Sequence, residues 1–284
     1  MGMTTAEQLF YTTVYITAHG SNGEVSTGTG FLVDYPSPDG GSYTTLVTNK
    51  HVLEGFDRVD FSMIGARNGR PTNLRVTTPV EGMDAKPWHG HPDPSVDVAV
   101  MPFATIANSM AAQGLAPYFV QIPSSMLLTK SQAEELDAIE EVKFVGYPNG
   151  IFDTENFLPI MRSGATATPL QIDYRGQPAF LIDAAVFPGS SGSPVFIYDR
   201  NGYRDRAGTV HVGGARLHLL GIVAAMHVRQ SSWQVVDVPT ATMAVGSEVL
   251  GLGIVFKASA IQECAEMMFA AEGIEIAPPT DELA

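Results

Sequence analysis

Phe187-Pro-Gly-Ser-Ser-Gly-Ser-Pro-Val195 sets one serine, Ser191, between glycines that let backbone amides crowd around its hydroxyl. Such a loop is built to hold an oxyanion. A serine hydroxyl is a weak nucleophile at neutral pH, so it needs a base to take its proton and a third group to orient that base. The chain offers both upstream. His51 closes the run Thr44-Thr-Leu-Val-Thr-Asn-Lys-His51-Val52, and Asp97 opens Asp97-Val-Ala-Val-Met101 after the turn-forming His91-Pro-Asp-Pro-Ser95. Taken singly, each has a plain reading: a Ser/Gly turn, a strand end, a turn residue.

The order His51, Asp97, Ser191 is where the sequence resembles the trypsin-like (chymotrypsin-fold) serine peptidases, because triads on unrelated folds run in other orders. Five pieces carry the resemblance: Gly28-Thr-Gly-Phe-Leu-Val33, Thr48-Asn-Lys-His51, Asp97-Val-Ala-Val100, Gly189-Ser-Ser-Gly-Ser-Pro194 and Leu219-Leu-Gly-Ile-Val-Ala-Ala225. It implies an all-β fold of two six-stranded antiparallel β-barrels, with the active site in the cleft between them. It also implies catalytic roles for His51, Asp97 and Ser191, and an oxyanion hole made by the backbone N–H groups of Gly189 and Ser191.

By the same resemblance the substrate pocket is floored by Ala185 and Val186, faced by Gly253, and edged by Ala224, Ala225 and Met226. No carboxylate falls at residue 185, and Asp183 lies two positions further back, so a small or medium uncharged side chain is expected. His227 reaching in would favour an acidic one. Three departures stand out. Ser190 replaces the aspartate that pairs with a new N-terminus in secreted members, Ala224 replaces a serine that supports the catalytic aspartate, and Met226 replaces a glycine on the substrate edge. The expected activity is that of a serine endopeptidase acting on protein or peptide substrates, and the resemblance adds a sensor protein as an activating partner. The alternative is a catalytically silent protease-fold binding or scaffold protein. A metal reading of His89-Gly-His91-Pro-Asp93 with His51 leaves the serine loop unexplained, so neither metal nor cofactor is expected.

Composition bounds the rest. The chain has 284 residues, 45% of them hydrophobic, with 28 glycines and 19 prolines, as suits a turn-rich globular protein. A single cysteine, Cys264, excludes an intrachain disulfide and favours a reducing compartment. No apolar stretch is long enough to cross a bilayer, and the N-terminus lacks the basic residue that usually precedes a signal's apolar core. Gly2 fits a myristoylation start except that Ala6 stands where Ser or Thr is wanted. A formal charge of −14 argues against nucleic-acid binding. A bacterial, cytoplasmic protein with no membrane partner is the expectation.

Runs rich in Val, Ile, Thr, Tyr and Phe between turn residues predict twelve strands. Six of them span 10–18, 28–34, 43–48, 59–63, 74–78 and 97–103. The other six span 141–146, 161–169, 179–183, 193–198, 217–225 and 253–257. This divides the chain into an N-terminal barrel (1–115), a linker with a short helix (116–140), a C-terminal barrel (141–257), a C-terminal helix (258–273) and a loose acidic tail (274–284). Capping-box spacings at Ser131-Gln-Ala-Glu134 and Ser259-Ala-Ile-Gln262 predict two helix starts. The second helix would bury Ile261, Cys264, Met268 and Phe269, making Cys264 a core residue.

Overall fold

The structure, a computed structural model, describes residues 2–21, 23–236 and 241–277, and the side chains among them outside 225–250. Branched and aromatic residues pack well on a pleated surface, and the runs that carry them form the strands. The first sheet holds β1 (Thr13–His19), β2 (Val25–Pro36), β3 (Ser42–Thr48), β4 (Arg58–Arg67), β5 (Arg70–Val80), β6 (His89–Gly90), β7 (Ala99–Pro102), β8 (Pro117–Tyr118) and β9 (Ile122–Pro123). Its strand order is β5-β4-β1-β2-β3-β7-β6, with β8 joined to β4 and β9 running parallel to β2.

The second unit holds β10 (Glu141–Gly146), β11 (Ile160–Thr166), β12 (Ala179–Asp183) and β13 (Pro194–Asp199). After a small hairpin of β14 (Gly202–Arg204) and β15 (Val210–Val212) come β16 (Arg216–Val236) and β17 (Ala241–Lys257). Six of these close into the barrel β10-β11-β12-β17-β16-β13. The helices are α1 (Thr5–Leu9), α2 (Lys50–Leu53), α3 (Phe103–Ala112), α4 (Lys130–Glu135) and α5 (Ala258–Ala271). This is the all-β, two-unit chymotrypsin-like fold with a C-terminal helix. Six strands close the second unit as expected, whereas the first is a nine-stranded sheet among the described residues, because three short strands join the six expected ones: β6 at one edge, and β8 and β9 on the interior strands β4 and β2.

Two of these additions, β8 and β9, lie within 116–140, and α3 precedes them. Phe103, Ile106 and Met110 lie on one face of α3 and are buried in the core of the first unit, while β8 and β9 pair with β4 and β2. The start of the expected linker is therefore tied to the first sheet through these two short strands. Helix starts also differ. Thr129 and Gln132 make the capping box of α4, just upstream of the expected Ser131 and Glu134. Helix α5 opens from Lys257 with no side-chain cap, so the Ser259–Gln262 box is not formed. Burial of Ala258, Ala260 and Ile261 fixes that end instead. Residues 4–9 were not expected to coil, but Thr4 and Glu7 cap each other and Phe10 ends α1 rather than starting β1.

One core cluster crosses both units. Phe31, Val33, Val47, Val98 and Val100 of the first meet Val145, Phe196, Leu219, Ile222 and Phe256 of the second, and α5 lies over them with Ile261, Cys264, Ala265, Met268 and Phe269. Each such large side chain contributes about 1.5–3 kcal/mol on burial. Cys264 is 1% exposed and burial pushes its thiol up to about 12, which makes it a core residue. The start of the expected tail is anchored: Ile274 and Ile276 pack on this cluster and the Ala277 N–H donates to the Pro36 carbonyl. Residues 278–284 lie outside the described residues.

Candidate active site

The short helix α2 follows β3 directly and presents Asn49, Lys50 and His51 to the segment that leads into β7. All three grip that segment. The Asn49 amide donates to the Asp97 carbonyl at 2.6 Å, and the His51 backbone N–H donates to Asp97 Oδ1 at 3.2 Å. Lys50 Nζ donates to the carbonyls of His91, Asp93 and Pro94 at 3.3, 3.0 and 3.4 Å. Held this way, Asp97 Oδ2 lies 2.5 Å from His51 Nδ1. A carboxylate on Nδ1 fixes the tautomer that leaves Nε2 as the proton acceptor. The imidazole is about half exposed, at 49%, and so remains reachable from the cleft.

The serine loop comes from the second unit, between β12 and β13, and is tied at almost every residue. Ser190 is buried; its N–H donates to the Phe187 carbonyl and its hydroxyl accepts the Phe187 N–H at 3.4 Å. The Asn149 N–H donates to the Pro188 carbonyl at 2.6 Å. Because a trans peptide points its N–H opposite to its carbonyl, that bond turns the Gly189 N–H the other way. Gly189 (φ +83°) and Gly192 (φ +87°) take left-handed backbone that a side chain disfavours. Among the described residues, the N–H groups of Gly189 and Ser191 donate to no carbonyl, whereas those of Ser190, Gly192 and Ser193 all do. Two unengaged donors flanking one hydroxyl form a usable anion pocket. The loop reaches this state with Ser190 where an aspartate would need an amine partner.

The Ser191 hydroxyl itself donates to the Ala224 carbonyl on β16 at 3.2 Å. Its hydrogen bond runs to that strand and not to His51. The structure therefore joins residues 51 and 97 directly, and brings 191 to 224.

The expected pocket residues fall unevenly. Ala185 is exposed, but Val186 is 2% exposed and sits in the barrel core with Ile182, Ala184, Val223 and Val255. A Cβ on Gly253 would come within 2.6 Å of Val186 Cγ2, so Val186 fills the space above that glycine. Ala225 and Met226 pair through their backbones with Ile254 and Gly253, with irregular register on either side. Their side chains, and that of His227, lie outside the described residues. Asp183 does not turn toward this region: it is exposed, pairs with Ala165 and Leu252, and lines a separate cavity with Ile139 and Thr168.

The residues of the metal reading are engaged elsewhere. His91 Nε2 lies 3.2 Å from Glu263 of α5, its Nδ1 accepts the Asp93 N–H, and His89 lies 3.6 Å from Glu272. The Asp93 carboxylate accepts from Ser95. Among the described residues no helix is long and apolar enough to cross a membrane. Sequence reasoning missed Lys50, Asn149 and Thr29, whose partners are all distant main-chain atoms. The Gly-Thr-Gly spacing around Thr29 was the one local signal that could have marked it.

A chymotrypsin-like fold with a histidine–carboxylate pair in one unit and a glycine-flanked serine loop in the other defines the class. The model of the trypsin-like peptidase domain matches residues 28–203, more than half of the chain, and the protein belongs to that family. A comparison with curated proteins finds no significant match. Among solved structures, Deg5 is 19% identical, with 77% of this chain and 81% of that one covered and a TM-score of 0.42. The thermostable serine protease AL20 from an extremophilic microorganism is 12% identical over 91% of this chain and 97% of its own, at a TM-score of 0.46. A catalytically inactive tobacco etch virus protease complexed with substrate is 11% identical over 99% and 93%, at a TM-score of 0.49.

Proposed function

We propose that this peptidase is a serine endopeptidase working through an acyl-enzyme on Ser191. His51 takes the hydroxyl proton as the Ser191 oxygen bonds to the substrate carbonyl carbon. It then returns the proton to the departing amine as the C–N bond breaks. Water repeats the sequence to release the acid. Asp97 holds the imidazole and stabilises its charged form. The N–H groups of Gly189 and Ser191 receive the oxyanion, each worth about 3 kcal/mol in the transition state. The observation that carries this reading is a serine loop ordered by hydrogen bonds, with the N–H groups of Gly189 and Ser191 on no carbonyl, taken together with the 2.5 Å His51–Asp97 pair.

The substrate is a protein or peptide whose extended backbone adds to the edge of β16 near Ala224. Val186 packs directly over Gly253, and this supports a small uncharged side chain next to the cleaved bond. One observation favours the rival reading of a silent binding protein: the Ser191 hydroxyl bonds to Ala224. Hydrogen bonds of unliganded sites often tighten only on substrate binding, so this bond is the resting one. A fluorophosphonate probe separates the two. It labels the wild type and not Ser191→Ala if the endopeptidase reading holds. Absence of labelling, with candidate activating proteins present, supports the binding protein.

A further inference from the structure

The Gly28-Thr29-Gly30 segment of β2 has a use that its glycines reveal. A Cβ on Gly28 would meet Val52 Cγ1 at 2.6 Å, and one on Gly30 would meet Leu46 Cδ1 at 2.8 Å, so both glycines let the strand press onto the core of the first unit. Side chains alternate along a strand, so Thr29 points the opposite way, toward the second unit. There it is fully buried, and all its polar groups are engaged. Its hydroxyl donates to the Gly189 carbonyl at 3.0 Å and accepts the Tyr147 N–H at 3.2 Å. Its own N–H donates to the Ser191 carbonyl at 2.8 Å, and its carbonyl accepts the Thr48 hydroxyl at 2.7 Å.

We infer that Thr29 is a positioning residue for the oxyanion loop, doing across the gap between the two units the job that a buried carboxylate–amine pair would otherwise do. This rests on the endopeptidase reading for its effect on rate. The physical basis is the set of peptides it touches. Gly189 and Ser191 supply the two N–H donors, which lie on the 188–189 and 190–191 peptides, and Thr29 holds the carbonyls of the 189–190 and 191–192 peptides, the planes next to them in the chain. Through Tyr147 it also braces the turn whose Asn149 N–H sets the 188–189 peptide. Each donor-bearing peptide is thereby flanked by planes already fixed, which limits the reorganisation that a loose loop would undergo as charge builds on the substrate oxygen. The side chain acts as a hydroxyl, and its methyl group has no part in this role. Serine therefore substitutes for it and valine, of the same shape, does not.

The test compares Thr29→Val and Thr29→Ser in the full chain. For the valine variant, kcat on a chromogenic peptide falls by about tenfold or more with KM unchanged, a fraction of the loss seen when an oxyanion donor is deleted outright. The inhibition constant of a peptidyl boronic acid, whose tetrahedral adduct places an oxygen in the anion pocket, weakens by the same factor. The serine variant keeps both values. Hydrogen exchange of the amides of residues 189–192 quickens in the valine variant and not in the serine one, a readout that needs no turnover. Unchanged exchange and unchanged boronate affinity in Thr29→Val overturn the inference. Exchange that quickens in Thr29→Val, when the wild type itself shows no activity, leaves the positioning role standing and sinks the endopeptidase reading instead. Should the valine variant not fold, Thr29→Ala is read by the same three measurements.

Discussion

The hydroxyl of Ser191 lies 3.2 Å from the main-chain oxygen of Ala224 and donates to it. That is the side chain's sole hydrogen bond among the described residues, and a lone, partly exposed bond of this kind contributes about 1 kcal/mol. Ser191→Ala therefore keeps the melting temperature within a few degrees of wild type. If the endopeptidase reading holds, the same change lowers kcat on a peptide substrate by about four to six orders of magnitude, and His51→Ala does likewise. Differential scanning calorimetry with steady-state kinetics checks both. Loss of folding in place of loss of rate would make these positions structural.

Lys50 gathers three carbonyls from the segment just before Asp97. Removing the ammonium in Lys50→Met takes a donor from all three oxygens, of which the Asp93 carbonyl keeps the Val96 N–H, and loosens the segment that carries the carboxylate. A destabilisation of about 1–3 kcal/mol is expected, read as a shifted urea midpoint, with faster exchange of the amides at 95–98. A variant as stable as wild type would show that water replaces the ammonium without loss.

Arg216 is buried and binds Glu140 through two guanidinium nitrogens at 3.3 and 2.7 Å, and Asp199 through Nε at 2.8 Å. Breaking such a set by removing one acid costs more than the set contributes, since the remaining charge stays out of water. Glu140→Ala is expected to lose about 3 kcal/mol. Its kcat/KM should not change at a temperature where the variant is folded, because none of the three side chains bonds to the loop at 187–193.

The His218 ring is buried beside Arg216, and both burial and that neighbouring charge hold its pKa below the ordinary 6.5. The folded chain thus binds a proton at His218 less readily than the unfolded chain does. The stability that comes from keeping the ring neutral is complete above about pH 6.5 and is lost as pH falls from there through the lower folded-state value. Urea denaturation at about pH 5 and about pH 8 should show this loss, and His218→Phe should flatten the difference. An unchanged slope in that variant would assign the loss to other groups.

What the sequence made legible follows from how local each signal is. β10 and β12 run from 141 to 146 and from 179 to 183 as read, because alternation and bounding turns are written within the segment itself. The pairing of His51 with Asp97 was legible from motif order. The capping box of α4 is displaced because Thr129 and Ser131 offer the same chemistry two residues apart, and only the chain's path chooses between them. Lys50, Asn149 and Thr29 left little trace, since each is defined by a carbonyl some 40 to 160 residues away. The glycines on either side of Thr29 do mark it, once they are read as one face of a strand.

A methyl group at position 192 would stand 1.7 Å from the Thr29 carbonyl oxygen, on a backbone that side chains avoid. No codon other than one for glycine can be inherited there without wedging the two halves of the molecule apart. A deep mutational scan read by folding alone should therefore find residue 192 as intolerant as the hydrophobic interior, although the neighbouring Ser191 is partly exposed.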